Sequence, residues 1–168
     1  MCGLTGFLET TQKLTFSQRE SVIRKMSASL SHRGPDDQGI WLDPLSGMAL
    51  GHQRLAVIDL SQQGHQPMHS AGERYVMVYN GEIYNYREIR NELEGLGGAP
   101  SWRGHSDTEI MLAAISYWGL ESALRKFSGM FAFALWDRKE QVLQLARDRL
   151  GEKPLYYGWM NNYFLFGS

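Results

Sequence analysis

Extended apolar runs lie at both ends of this chain and helical periodicity lies largely between them, which limits the folds open to it. The N-terminal run, Cys2 to Leu8, is short, apolar and punctuated by glycine, the pattern of a buried strand. From Met130 onward the sequence reads as four more strands: FAFALWD, QVLQLARD, PLYYGW and YFLFG. Helices inserted between terminal strands support the class α+β and point to two sheets packed on each other, with helices outside.

The middle of the chain supplies the helices and further strands. Thr15 or Ser17 can cap a first helix, with Gln18 or Glu20 at the capping-box position. Val22, Met26 and Leu30 then recur on one face. SHRGPDDQG, Ser31 to Gly39, ends this helix and reads as an ordered loop. Strands are expected over Gly39–Asp43 and Met48–Ile58, joined by a hairpin at DPLSG, and again over Arg74–Tyr79. A helix from about Tyr86 carries Ile89, Leu93 and Leu96. Another starts at Ser106, with Glu109 three residues on as a second capping box. Ile110, Ala113, Ala114 and Tyr117 form its apolar face, and a short helix carries Leu120, Leu124 and Phe127.

Length and charge narrow the partners. The 168 residues suit one domain. A net charge of −1 without a basic block argues against nucleic acid. The N-terminus has no basic leader region and its apolar run stops at Glu9, so no signal peptide is expected. No stretch approaches the ~20 apolar residues of a membrane span. A cytoplasmic location follows as the expectation. The single cysteine excludes an internal disulfide and a multi-cysteine metal site, and no metal is expected.

That cysteine directly follows Met1. A lone cysteine is usually a small buried hydrophobe, but removal of Met1 would place a free α-amino group beside its sulfur. Such an amine titrates at about 7.7–8.0 and a free thiol at about 8.5, so the residue would carry its own general base. Gly3 keeps side-chain bulk away. An acyl-transfer nucleophile also needs donors for a tetrahedral oxyanion. YNGEIYN, Tyr79 to Asn85, offers the Asn80 side-chain amide and the Gly81 N–H. The competing reading of Asn80-Gly81 is a hairpin turn, which the helical pattern soon after it weakens.

MCGLTGF, SHRGPDDQG, GHQRLAVIDLS, YNGEIYN, HSDTEIML and ARDRLGEKPLYYG stand in this order. Together they resemble the N-terminal glutaminase domain of asparagine synthetase-like class II glutamine amidotransferases, over residues 1–168. The resemblance implies an Ntn-hydrolase fold, a four-layer αββα sandwich of two mainly antiparallel sheets. It implies Cys2 as the nucleophile that hydrolyses the side-chain amide of L-glutamine through a thioester, with Asn80 and Gly81 as oxyanion donors. Arg54 would clamp the α-carboxylate and Asp107 would meet the α-ammonium, with Glu82 nearby. Leu55, Ala56, Val57 and Ile58 would line the same pocket. From the residues alone, Arg54 reads rather as a surface partner of Asp59 or a neighbour, and Asp107 also as an acid favoured by a helix dipole.

His32, Arg33 and Asp36 read as loop-fixing groups. Arg147, Asp148 and Arg149 are open between an interface or ammonia exit and a plain salt-bridge cluster. The resemblance also implies an ATP-dependent synthetase domain as partner, absent from this chain. ATP and Mg belong to that domain and no cofactor is expected in this one. No Gly-rich phosphate loop is present. An exposed apolar surface near Leu155 to Trp159 is expected where that domain would sit. SWRGHSDTE, with Trp102 and Arg103, differs from the usual asparagine synthetase pattern, which leaves the ammonia acceptor open between aspartate and a sugar or other carboxylate. Two rival readings are an N-terminal-cysteine acylase acting on another amide and a non-catalytic interaction module.

Overall fold

A computed structural model describes residues 1–168. Nine strands alternate irregularly with four helices: β1 (Gly3–Glu9), α1 (Phe16–Ala28), β2 (Asp37–Leu42), β3 (Met48–Arg54), β4 (Met68–His69) and β5 (Tyr75–Ile83) come first. After them follow α2 (Tyr86–Gly95), α3 (Asp107–Trp118), α4 (Leu120–Lys126), β6 (Gly129–Asp137), β7 (Val142–Arg147), β8 (Tyr156–Met160) and β9 (Tyr163–Gly167). Two sheets result, in the orders β2-β3-β1-β9-β8 and β4-β5-β6-β7. Every pairing is antiparallel. The chain ends do meet, since β1 pairs with β9 from Thr5 opposite Gly167 to Glu9 opposite Tyr163.

The layers follow from alternation along the strands. On β6, Phe131, Phe133 and Leu135 face the helices α2–α4 and join Ile110, Met111 and Leu93 in the largest apolar cluster. Ala132, Ala134 and Trp136 face the other way and meet Leu4, Leu50 and Phe166 between the sheets. Both faces of the central strands are therefore covered, which is why FAFALW is continuously apolar. α1 closes the far side over Phe7 and Ala49. The architecture is the expected αββα sandwich.

Several local expectations change. The face of α1 is one residue out of phase: Ile23 and Ser27 are buried and Val22 is exposed. Gly51 lets the helix sit close, for a Cβ there would stand 3.2 Å from Ser27 Cβ. The buried stripe is partly polar. Arg19 Nη1 donates to the carbonyls of Asp43 and Ser46, and Gln53 Nε2 donates to Ser27 O at 3.1 Å. Thr15 does cap this helix reciprocally with Gln18.

Ser106 caps α3, but Glu109 does not complete a box. Its carboxylate accepts from the N–H groups of Arg103 and Gly104 instead. Tyr117, on the expected apolar face of α3, is exposed. β3 stops at Arg54, short of the expected Ile58, and β5 runs on past Tyr79 to Ile83. The expected apolar surface is present on the edge strand β8, where Tyr156, Tyr157 and Trp159 are exposed.

Candidate functional site

A cleft of about 240 Å³ opens where β1, β3, β5 and the start of α3 converge. Cys2 precedes β1 and lies on the cleft wall. The Leu55 N–H donates to Cys2 Sγ at 3.3 Å, and the sulfur lies 3.6 Å from Leu55 O. Arg33 Nε donates to the Cys2 carbonyl at 3.2 Å, fixing the backbone of the nucleophile candidate. The thiol is therefore held, half-buried and open to the cleft.

Asn80 and Gly81 stand across from it on β5. They are in mid-strand, opposite Ala132 and Phe131, which removes the hairpin-turn reading. Asn80 is buried, and its Nδ2 has no hydrogen-bond partner. Such orphaned donors are rare because each forfeits a bond it had in water. Gly81 is paired with Phe131, whose N–H and C=O are both spent on Asp148. The Gly81 N–H therefore points off the opposite edge of β5. On that edge the Tyr79 N–H donates to Gln66 Oε1 at 2.7 Å and the Ile83 N–H to Asp107 Oδ2 at 3.0 Å. The Gly81 N–H sits between these two, and no side chain accepts from it. Glycine is required here, since a Cβ would stand 2.3 Å from Met130 O.

Asp107 opens α3 and is buried. Its Oδ2 also accepts from the Tyr79 hydroxyl at 2.7 Å. Burial pushes the Asp107 carboxyl above its usual range, while the donors Tyr79 O–H, Ile83 N–H and Thr108 N–H pull it back. Burial and the neighbouring Asp107 hold the Tyr79 phenol well above its ordinary value, so it remains a donor. His52 on β3 binds the Tyr79 carbonyl through Nε2 at 2.9 Å and ties one sheet to the other. Burial lowers His52 to about 4, which leaves it neutral.

Arg54 is buried at the end of β3. Its Nη1 donates to Ser61 O at 2.8 Å and its Nη2 to Asp59 O, two backbone carbonyls rather than a carboxylate. The guanidinium thus curls residues 55–61 into the rim of the cleft and keeps the rest of its fork on the wall. The Asp59 carboxylate accepts from Ser61 and from the His105 N–H at 2.9 Å, clipping this rim to the loop before α3. These donors, with Arg54, hold Asp59 below the usual carboxylate range against its desolvation.

Leu55, Val57, Ile58 and Glu82 line the cleft as expected; Ala56 does not, its N–H being turned to Asp36 Oδ2 at 2.8 Å. Asp36 and Arg33 are thus loop-fixing groups. Asp148 fixes a loop too, accepting from Phe131, Leu150, Glu152 and Lys153 backbone N–H groups. Arg147 and Arg149 donate to backbone carbonyls, so the segment is not a salt-bridge cluster.

Sequence reading missed Asp59, Gln66, Tyr79, Thr108 and Lys153 on the cleft wall. Tyr79 and Lys153 lie inside quoted motifs, YNGEIYN and GEKPLYYG; nothing local marks Gln66. No group of three or more His, Cys, Asp or Glu side chains is placed to hold a metal ion. No helix is long and apolar enough to cross a membrane.

Comparison with known proteins agrees with this geometry. The family model described as glutamine amidotransferase domain matches residues 1–168. Asparagine synthetase [glutamine-hydrolyzing] 3 of Bacillus subtilis (strain 168) is 41% identical over 170 residues, covering 100% of this chain and 26% of that protein. Asparagine synthetase [glutamine-hydrolyzing] 1 of the same strain is 40% identical over 168 residues, again covering 100% and 26%. The chain thus spans about a quarter of the length of these curated relatives. A solved glutamine phosphoribosylpyrophosphate amidotransferase from B. subtilis superposes with a TM-score of 0.78 at 20% identity, over 99% of this chain and 41% of that one. At that identity the likeness speaks for the fold.

Proposed function

Because the chain belongs to the glutamine amidotransferase domain family, we propose that it hydrolyses the side-chain amide of L-glutamine to glutamate and ammonia, with Cys2 as nucleophile once Met1 is removed. The observation that carries the reading is the unpaired Asn80 Nδ2, buried beside an unclaimed Gly81 N–H on the cleft that holds Cys2. Two donors kept free of protein partners are what a developing oxyanion needs.

The freed α-amine of Cys2 takes the thiol proton and the sulfur attacks the amide carbon. The carbonyl π electrons move to oxygen, which meets the Asn80 and Gly81 donors. Collapse expels ammonia, protonated by the α-ammonium, and leaves a γ-glutamyl thioester. Water, deprotonated by the same amine, attacks the thioester, and glutamate departs as the thiol is restored. Asp107 Oδ2 is committed to Tyr79 and Ile83, so the substrate ammonium would meet Oδ1, with Glu82 adding charge nearby. The unspent side of the Arg54 fork would receive the α-carboxylate.

A cleft of about 240 Å³ lies below the ~300 Å³ at which drug-sized pockets begin, so it suits a free amino acid better than the bulky acyl group of the rival acylase. Cys2 opens onto the cleft and is not sealed into the core, which weighs against an inert module. The ammonia would pass to a synthetase domain, in keeping with the longer relatives' names, and the resemblance would confine ATP and Mg to that domain. A cytoplasmic setting would keep the thiol reduced.

Intact mass and a glutaminase assay test the reading together. Loss of Met1, glutamate release, and abolition of release by Cys2→Ala with an unchanged melting curve are expected. Failure of a Met1-free chain to release glutamate would reject it.

A further inference from the structure

Lys153 is buried yet has no carboxylate within 4.0 Å of its ammonium, since no ion pair includes it. Lysine is almost never buried without a partner. Its backbone N–H is held by Asp148 Oδ2 at 3.2 Å, so the residue is anchored and its side chain is aimed into the cleft. The one contact of its Nζ is Met1 Sδ at 3.3 Å, a weak acceptor on the residue that the proposed chemistry removes. With Met1 gone, the ammonium would lose this contact and stand on the wall of the same cleft that the new α-amino group of Cys2 borders.

Resting on the glutaminase reading, we propose that Lys153 is a positioning residue for charge: its fixed ammonium keeps the α-amine of Cys2 unprotonated and so available as the general base. A second cation beside an amine disfavours a further positive charge, and this is one of the established ways of activating an amine. Arg33, whose Nε donates to the Cys2 carbonyl at 3.2 Å, and Arg54 at the end of β3 are cations that act in the same sense, while Glu82 from β5, Asp107 from α3 and Asp59 from the rim are carboxylates, which act in the opposite sense. Lys153 offsets them from the one wall where Met1 now lies.

The test compares Lys153→Met, which keeps the shape and removes the charge, with Lys153→Arg, which keeps the charge. The sign is fixed. Without the neighbouring cation the amine binds its proton more tightly, so the acid limb of kcat/KM for glutamine moves to higher pH. A shift of about one pH unit is expected, with about a tenfold loss below the limb and near-normal rates well above it. Lys153→Arg should keep the parental limb. A merely structural lysine would lower the whole profile without moving it, and an unmoved limb in Lys153→Met would overturn the proposal. A second readout is independent of turnover. In a Cys2→Ala background the exposed α-amine, carrying ¹³C-methyl groups, is titrated by NMR with Lys or Met at position 153. A higher amine pKa with Met supports the assignment, and equal values reject it. Inactivity of the unsubstituted, Met1-free chain rejects the glutaminase reading instead, and the titration then still decides the effect of Lys153 on the amine.

Discussion

Asn80→Ala should separate activity from stability in opposite directions. The wild-type side chain buries an Nδ2 with no partner, and an unsatisfied buried donor costs about 1–3 kcal/mol. Truncation removes that burden and vacates the three heavy atoms of the carboxamide, space that opens onto the cleft Asn80 lines and so costs about 1 kcal/mol rather than a sealed void's larger penalty. The net change runs from about zero to roughly 2 kcal/mol of added stability, whereas an ordinary buried hydrogen-bonded asparagine would lose stability. Activity should move the other way. Loss of one oxyanion donor lowers kcat by about 10²–10³. KM should hold, because the bond forms only as charge develops on oxygen. Urea unfolding and steady-state glutaminase kinetics on the same preparation measure both. Asn80→Asp is the control: it loses the donor and places a carboxylate near the oxyanion, so it should be worse on both counts. If Asn80→Ala loses more than about 1 kcal/mol while kcat stays within tenfold, Asn80 is a structural residue and its orphaned amide has been misread.

Two other perturbations follow from the buried titratable groups. Asp107→Asn keeps an acceptor for Tyr79 and Ile83 but removes a carboxyl that burial already holds above its usual range. Stability at pH 7 should hold or rise while KM for glutamine climbs on the order of a hundredfold; an unchanged KM would remove Asp107 from substrate binding. His52, lowered from 6.5 to about 4 by burial, binds its proton more readily in the unfolded chain, so its contribution is complete above pH 6.5 and drains as pH falls through about 4, by about 3 kcal/mol in all. Urea midpoints between pH 7 and 4.5 should fall more steeply for the parent than for His52→Gln, and parallel slopes would show that His52 does not carry the acid sensitivity.

The layers were legible because their signals are local. Thr15 and Gln18 announce a helix start, and the uninterrupted FAFALW announces a strand covered on both faces. What misled was chemistry that ignores period. The buried stripe of α1 includes Arg19, whose Nη1 reaches two carbonyls, and Ser27, which accepts from the Gln53 amide, and an apolar count cannot see such partners. LAVI after Arg54 has strand composition, yet it leaves the sheet because the Arg54 guanidinium pulls the Asp59 and Ser61 carbonyls back. The same composition then serves as a cleft rim. Cys2, Asn80, Gly81 and Asp107 were named correctly as neighbours through the resemblance, whereas no rule of spacing would have placed Lys153 with them.

The reactive geometry traces to a short strand. β4 pairs with β5 only at Met77 and Val76, so the edge of β5 beyond Met77 keeps its N–H groups unclaimed by any strand. An open edge inside a folded core has to be satisfied by side chains. Gln66 takes Tyr79 and Asp107 takes Ile83, both from segments that border the cleft. Those two bonds fix the edge on either side of Gly81 and leave its N–H aimed between them. A longer β4 would pair Gly81 and abolish the donor; loss of Gln66 or Asp107 would free the flanking edge to twist. Because β6 lies against the missing Cβ of Gly81, the strand cannot relax by turning a side chain in that direction. The donors proposed for the oxyanion are thus preorganised by where β5 is left unpaired, and the proposed nucleophile is carried to them by the opposite sheet, through the Leu55 and Arg33 contacts that hold Cys2.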